Sequence, residues 1–108
     1  MLSAYRIVWI FVIFDLPTST KKQRKEAFDF RKNLLKDGFT MMQYSVYIRH
    51  CPNGSNADTH VGRVRGFLPS YGKVSILCVT DRQYGNIINF FAAKEKRLPE
   101  SPKQLEIF

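Results

Sequence analysis

An unbroken apolar run over residues 7–14, followed at once by Asp15, Leu16 and Pro17, constrains this chain more than any other feature. β-Branched and aromatic residues dominate the run, which marks a strand. Both parities are apolar: Ile7, Trp9, Phe11 and Ile13 on one face, Val8, Ile10, Val12 and Phe14 on the other. Such a strand is covered on both sides and belongs in the middle of a sheet. Its eight residues fall far short of the roughly 20 a membrane-spanning helix needs. It is also a poor secretory leader, because only Arg6 gives a basic start and no small-residue cleavage site follows. The expectation is a cytoplasmic chain with no membrane partner.

The elements that follow are legible from their punctuation. Pro17 keeps Leu16 extended, Thr20 and Gln23 form a capping box, and Ala27, Phe30 and Leu34 repeat at helical spacing up to Gly38. Residues 39–42 and 43–50 read as strands. The second of these alternates, with Tyr44, Val46 and Ile48 on one face and Gln43, Ser45, Tyr47 and Arg49 on the other. Residues 51–59 read as a loop and 58–68 as a helix carrying Val61, Val64 and Leu68. Residues 73–80 form a fourth strand, 81–85 a turn and 87–91 a fifth strand. The order βαββαβ is the α+β, ferredoxin-like arrangement, with two helices on one face of a four-stranded sheet. Residues 1–97 make up that domain, and 98–108 a linker ending in an edge strand at 104–108. The face opposite the helices carries one apolar parity of the first strand, and an exposed patch of that size calls for a partner. A homodimer packed through the sheet face is the expected answer.

Charge narrows the partner further. Lys and Arg total 17 against 9 Asp and Glu, a net +8 on 108 residues, which favours a polyanion such as nucleic acid. Seven cations against two acids fall within residues 18–36. Four of them, Lys21, Lys22, Arg24 and Lys25, sit in the first turns of the helix, where its dipole disfavours positive charge. That placement suits phosphate contacts as well as a solvated helix face. Arg49 and Arg82 add scattered charge, and Tyr44, Tyr47 and Tyr84 are available either for stacking on bases or for packing. Asp15, the only acid in the first 25 residues, ends the central strand. Its carboxylate suits Mg²⁺ or Mn²⁺ if a second copy supplies another, and equally suits a turn ahead of Pro17. Cys51 and Cys78 lack metal-ligand spacing and read as reduced thiols. His50 and His60 form no legible triad, and no phosphate-binding loop or dinucleotide fingerprint is present.

Three stretches taken together carry a resemblance: Ile10-Phe11-Val12-Ile13-Phe14-Asp15-Leu16-Pro17-Thr18, Leu34-Leu35-Lys36-Asp37-Gly38-Phe39 and Gln43-Tyr44-Ser45-Val46-Tyr47. They resemble the CRISPR-associated protein 2 family, the small partner of the CRISPR spacer integrase, in its type II-like form. The resemblance implies a ferredoxin-like homodimer that bridges integrase subunits and holds the double-stranded DNA of a prespacer. It also implies a second activity, reported for some members: Mg²⁺-dependent endonuclease action on single-stranded RNA or double-stranded DNA. On that pattern the metal-binding, catalytic aspartate falls on Asp15. The basic residues that start the first helix fall near Lys22 and Arg24, and the aromatic that ends the Gln-Tyr-Ser-Val stretch falls on Tyr47. Two positions depart from nuclease-competent relatives: Phe14 replaces a tyrosine and Met41 a basic residue. These losses favour the scaffold role over cleavage.

Overall fold

The computed structural model describes residues 6–92 and 94–96. Its central strand is β1 (Val8–Asp15), as the doubly apolar run requires. Antiparallel neighbours flank it on both sides: β3 (Val46–Cys51) on one and β4 (Lys73–Thr80) on the other. A short β2 (Thr40–Gln43) pairs outside β3, giving the sheet order β2-β3-β1-β4. With α1 (Lys21–Lys36) after β1 and α2 (Gly54–Gly66) after β3, the ferredoxin-like arrangement is complete.

The helices cover the even parity of β1. Val8, Ile10, Val12 and Phe14 form one core with Phe30 and Leu34 of α1, Ala57 and Val64 of α2, and Phe39, Tyr47 and Cys51. The start of α1 is held by the capping box: the Thr20 hydroxyl accepts from the Gln23 amide, while the Gln23 side chain accepts from the Thr20 amide. At its end the chain turns through Gly38, whose φ of 88° suits glycine.

Several local expectations change. The alternation in β3 holds from Val46 onward, but both faces are covered. Tyr47 faces the helices and Ile48 the opposite side. The helix expected over 58–68 begins at Gly54, because Asn53 caps it by accepting from the Asn56 amide. The expected turn at 81–85 is a short helix, α3 (Asp81–Gly85), started by a second capping box between Thr80 and Gln83. The strand expected over 87–91 shortens to β5 (Asn89–Phe91). It pairs with β6 (Lys94–Lys96) in a separate hairpin rather than joining the main sheet. The expected linker, the strand over 104–108 and the domain division after residue 97 lie outside the described residues. Among the described residues, no helix is long and apolar enough to cross a membrane.

The second sheet face is only partly open. Tyr84 of α3 is buried over Trp9, with the two rings stacked at 3.7 Å, and Ile87 packs beside it. This cover stops short of the Asp15 end. There Ile13 remains 41% exposed, and Leu77, directly across from Phe11, 52%.

Candidate nucleic-acid interface

The central sheet has two chemically distinct ends. At one, Asp15 of β1 lies opposite Lys73 of β4; at the other, Val8 lies opposite Thr80. Seven residue steps separate the ends, about 23 Å along a strand.

Asp15 is exposed and shares its parity with Ile13, so it projects from the uncovered face. Its backbone is wedged in place. Gly72, with a φ of 86°, approaches so closely that a Cβ there would lie 2.5 Å from the Asp15 carbonyl oxygen and 2.9 Å from Pro17. Only glycine fits this turn without displacing Asp15. Among the described residues, the Asp15 carboxylate has no hydrogen bond or ion pair, and no group of three or more His, Cys, Asp or Glu side chains is placed to hold a metal ion. One chain therefore offers a single rigid carboxylate. That donor set fits Mg²⁺, which keeps several waters and accepts one or two carboxylates, only where a second Asp15 joins it.

The first turns of α1 open at this same end. Lys21, Lys22, Arg24 and Lys25 are all exposed, and no acid stands among the first helical residues. Arg24 donates to the carbonyls of Thr18 and Ser19 at 3.1 and 3.3 Å, which braces the loop leading from Asp15. Lys22 lies over the Tyr71 ring at 5.9 Å, and Lys25 pairs with Asp29 at 3.0 Å in the exposed i, i+4 geometry. Such a pair is weak enough to exchange for a phosphate. Glu26 accepts from the Ser70 amide at 2.6 Å, tying α1 to the Gly72 loop.

The other expected contacts are not brought to this cluster. Arg49 lies along β3 opposite Ile10, and its guanidinium donates to the backbone carbonyls of Asp37 and His50 at 2.8 and 2.9 Å. It closes the loop after α1. Arg82 sits in α3, at the far end of the sheet from Asp15. Tyr47 is 3% exposed, its ring 5.7 Å from that of Phe14. It packs the core, and its ring is not available for stacking on a base. Phe14, one of the two departures noted in the sequence, is likewise buried. Met41 is exposed and lines a shallow cavity together with Arg49.

Sequence reading missed a buried polar network between the helices. His60 of α2 is 5% exposed and lies 2.8 Å from Asp37, with Nδ1 facing Oδ2; Arg63 donates to the other carboxylate oxygen at 3.0 Å. Burial pushes the Asp37 pKa up, but the hydrogen bonds and charges of His60 and Arg63 outweigh it and hold the carboxyl below its usual range. An ionised carboxylate only accepts, so Nδ1 of His60 carries the proton. Asp37 follows the last residue of α1, so the network locks that helix to α2. No local spacing announces it, since the partners are 23 and 26 positions apart. Cys51 and Cys78 are free thiols, and burial raises the pKa of both.

A family model described as CRISPR associated protein Cas2 matches residues 8–87. A protein of Flavobacterium psychrophilum named CRISPR-associated endoribonuclease Cas2 is 47% identical over 107 residues, covering 99% of this chain and 93% of its own. Proteins of the same name from Parvibaculum lavamentivorans and Paracidovorax avenae are 48% and 43% identical, covering 94% and 100% of this chain and the whole of each relative.

Proposed function

Because the chain belongs to the CRISPR-associated protein Cas2 family, we propose that it is a dimeric, sequence-independent nucleic-acid-binding scaffold of the spacer-integration machinery. The observation that carries this reading is the exposed row Lys21, Lys22, Arg24 and Lys25, presented at the same sheet end as the uncovered apolar face. The row supplies phosphate contacts that read no bases. The face around Ile13 and Leu77 supplies the surface for a second copy. With +8 per chain, the pair forms a broad basic body suited to the centre of a prespacer duplex. The integrase subunit performs the strand transfer.

A second reading, a metal-dependent endonuclease, is favoured by one feature: the unpaired, glycine-wedged Asp15 on the uncovered face. Two copies meeting through that face would bring two Asp15 carboxylates toward each other to hold Mg²⁺ or Mn²⁺. Such a metal, when bound, activates water and polarises a phosphate. The chain's own contribution is to fix the carboxylates rigidly. The name endoribonuclease, carried by the relatives, points the same way.

Three measurements test the proposal together. Sedimentation should give about twice the 12.6 kDa chain mass. Affinity for duplex DNA should fall steeply with salt and ignore sequence. Asp15→Asn should leave spacer acquisition and co-purification with the integrase subunit intact. A monomer, or binding indifferent to salt, contradicts the scaffold. Robust Mg²⁺-dependent cleavage that is lost in Asp15→Asn together with acquisition establishes the nuclease reading instead.

A further inference from the structure

The turn between β2 and β3 carries a stack that the basic row does not account for. Tyr44 is 71% exposed, among the most exposed large apolar side chains described. Its ring centroid lies 4.1 Å from the Arg31 guanidinium carbon, and Arg31 in turn lies 5.2 Å from the buried ring of Phe14. The order is buried ring, guanidinium, exposed ring, with Phe14 anchoring the inner layer. Ser45, next to Tyr44, accepts from the Phe14 amide at 3.0 Å, so the turn is pinned one residue from Asp15. Nε of Arg31 is buried without a hydrogen-bond partner. Its terminal nitrogens have no carboxylate or carbonyl partner among the described residues.

An exposed aromatic ring is ordinarily mobile, but here its inner face rests on a planar cation that is itself held against the core. That leaves a preorganised outer face of the size and polarity that stacks on a nucleobase, with unpaired guanidinium donors behind it for the adjoining phosphate. Paired bases in the interior of a duplex, stacked on both sides, do not offer such a face. We propose that the Tyr44–Arg31 stack is a binding site for one unpaired base of a single strand, distinct from the duplex contacts of α1. This rests on the nucleic-acid-binding reading above and adds a single-strand subsite to it. The stack presents no group selective for a ribose hydroxyl, so the strand's sugar does not matter.

The test uses the full chain and a short oligonucleotide carrying 2-aminopurine, whose fluorescence is quenched on stacking. The oligonucleotide is offered as single-stranded DNA, as single-stranded RNA and as a DNA duplex. The wild-type protein should bind and quench both single strands. Tyr44→Phe should behave as wild type. Tyr44→Ser should lose the quench and about tenfold in single-strand affinity, while its duplex affinity and oligomeric state stay unchanged. Arg31→Gln should lose single-strand affinity in the same direction. The proposal is overturned if Tyr44→Ser weakens duplex and single strand equally, if it weakens neither, or if it dissociates the oligomer, which would assign the ring to a protein interface. Those outcomes leave the basic row intact. Failure of the wild-type protein to bind any of the three probes would remove the nucleic-acid reading itself.

Discussion

Asp15 and Asp37 are the same residue type at element ends of one small domain, yet they are treated in opposite ways. Asp37 ends α1 and is surrounded: His60 and Arg63 satisfy its carboxylate, and Arg49 donates to its carbonyl. Asp15 ends β1 and is left open, with its backbone wedged by Gly72 and its side chain unpartnered among the described residues. A charge that serves the fold is neutralised where it is buried, because leaving it unpaired there costs several kcal/mol. A charge held rigidly but left unpaired at the rim contributes little to stability, and its position makes sense as a surface for something else.

Substitutions should separate the two ends. Asp37→Ala removes the acceptor for two donors, one of them buried, and should cost about 2–3 kcal/mol in urea unfolding. The pH dependence follows from the direction of its shift. Because the folded carboxyl is held below its usual range, its contribution is present above the unfolded pKa and is lost as pH falls through the folded one. The wild-type unfolding midpoint should therefore drop as pH falls below about 4, and Asp37→Asn should flatten that drop. An acid profile unchanged by Asp37→Asn would break the contrast.

Gly72→Ala is the corresponding probe of the open end. Its Cβ would collide with backbone, and its φ is positive, so a loss of about 1–3 kcal/mol is expected. Gly62→Ala, where nothing lies within 4 Å of the added Cβ, should instead stabilise α2 by up to about 1 kcal/mol. Equal effects at the two glycines would mean the wedge is not holding Asp15. Thr20→Ala, which removes half the capping box, should cost about 1 kcal/mol. Asp15→Asn should change stability by less than about 0.5 kcal/mol. Loss of stability comparable to Asp37→Ala would show that Asp15 serves the fold after all.

The open end was far more legible in the sequence than the closed one. The doubly apolar run, Asp15 behind it, the Thr20–Gln23 box and the strand at 73–80 all depend on neighbours in sequence, and all stand in the structure. The Thr80–Gln83 box of α3 carries the same local signal as Thr20–Gln23 and could have been found by it. Asn53 was hidden because asparagine serves turns and helix caps alike. The side of β3 that Tyr47 occupies could not be chosen, since Tyr47 and Ile48 are both buried and alternation no longer distinguishes core from surface. The Asp37–His60–Arg63 network and the Tyr44–Arg31–Phe14 stack join residues distant in sequence, and only the packing of α1 against its neighbours brings them together.

The central claim is that nucleic acid is gripped at the Asp15 end, by the first turns of α1. The most direct measurement is the salt dependence of duplex DNA affinity for Lys21→Gln/Lys22→Gln and for Arg82→Gln, side by side with wild type. Removing the two lysines should weaken binding to every sequence and reduce the slope of log affinity against log salt by about one per lysine. Arg82→Gln, at the far end of the sheet, should leave the slope unchanged. A slope lowered by Arg82→Gln and untouched by the lysine pair would place the grip at the other end and contradict the account.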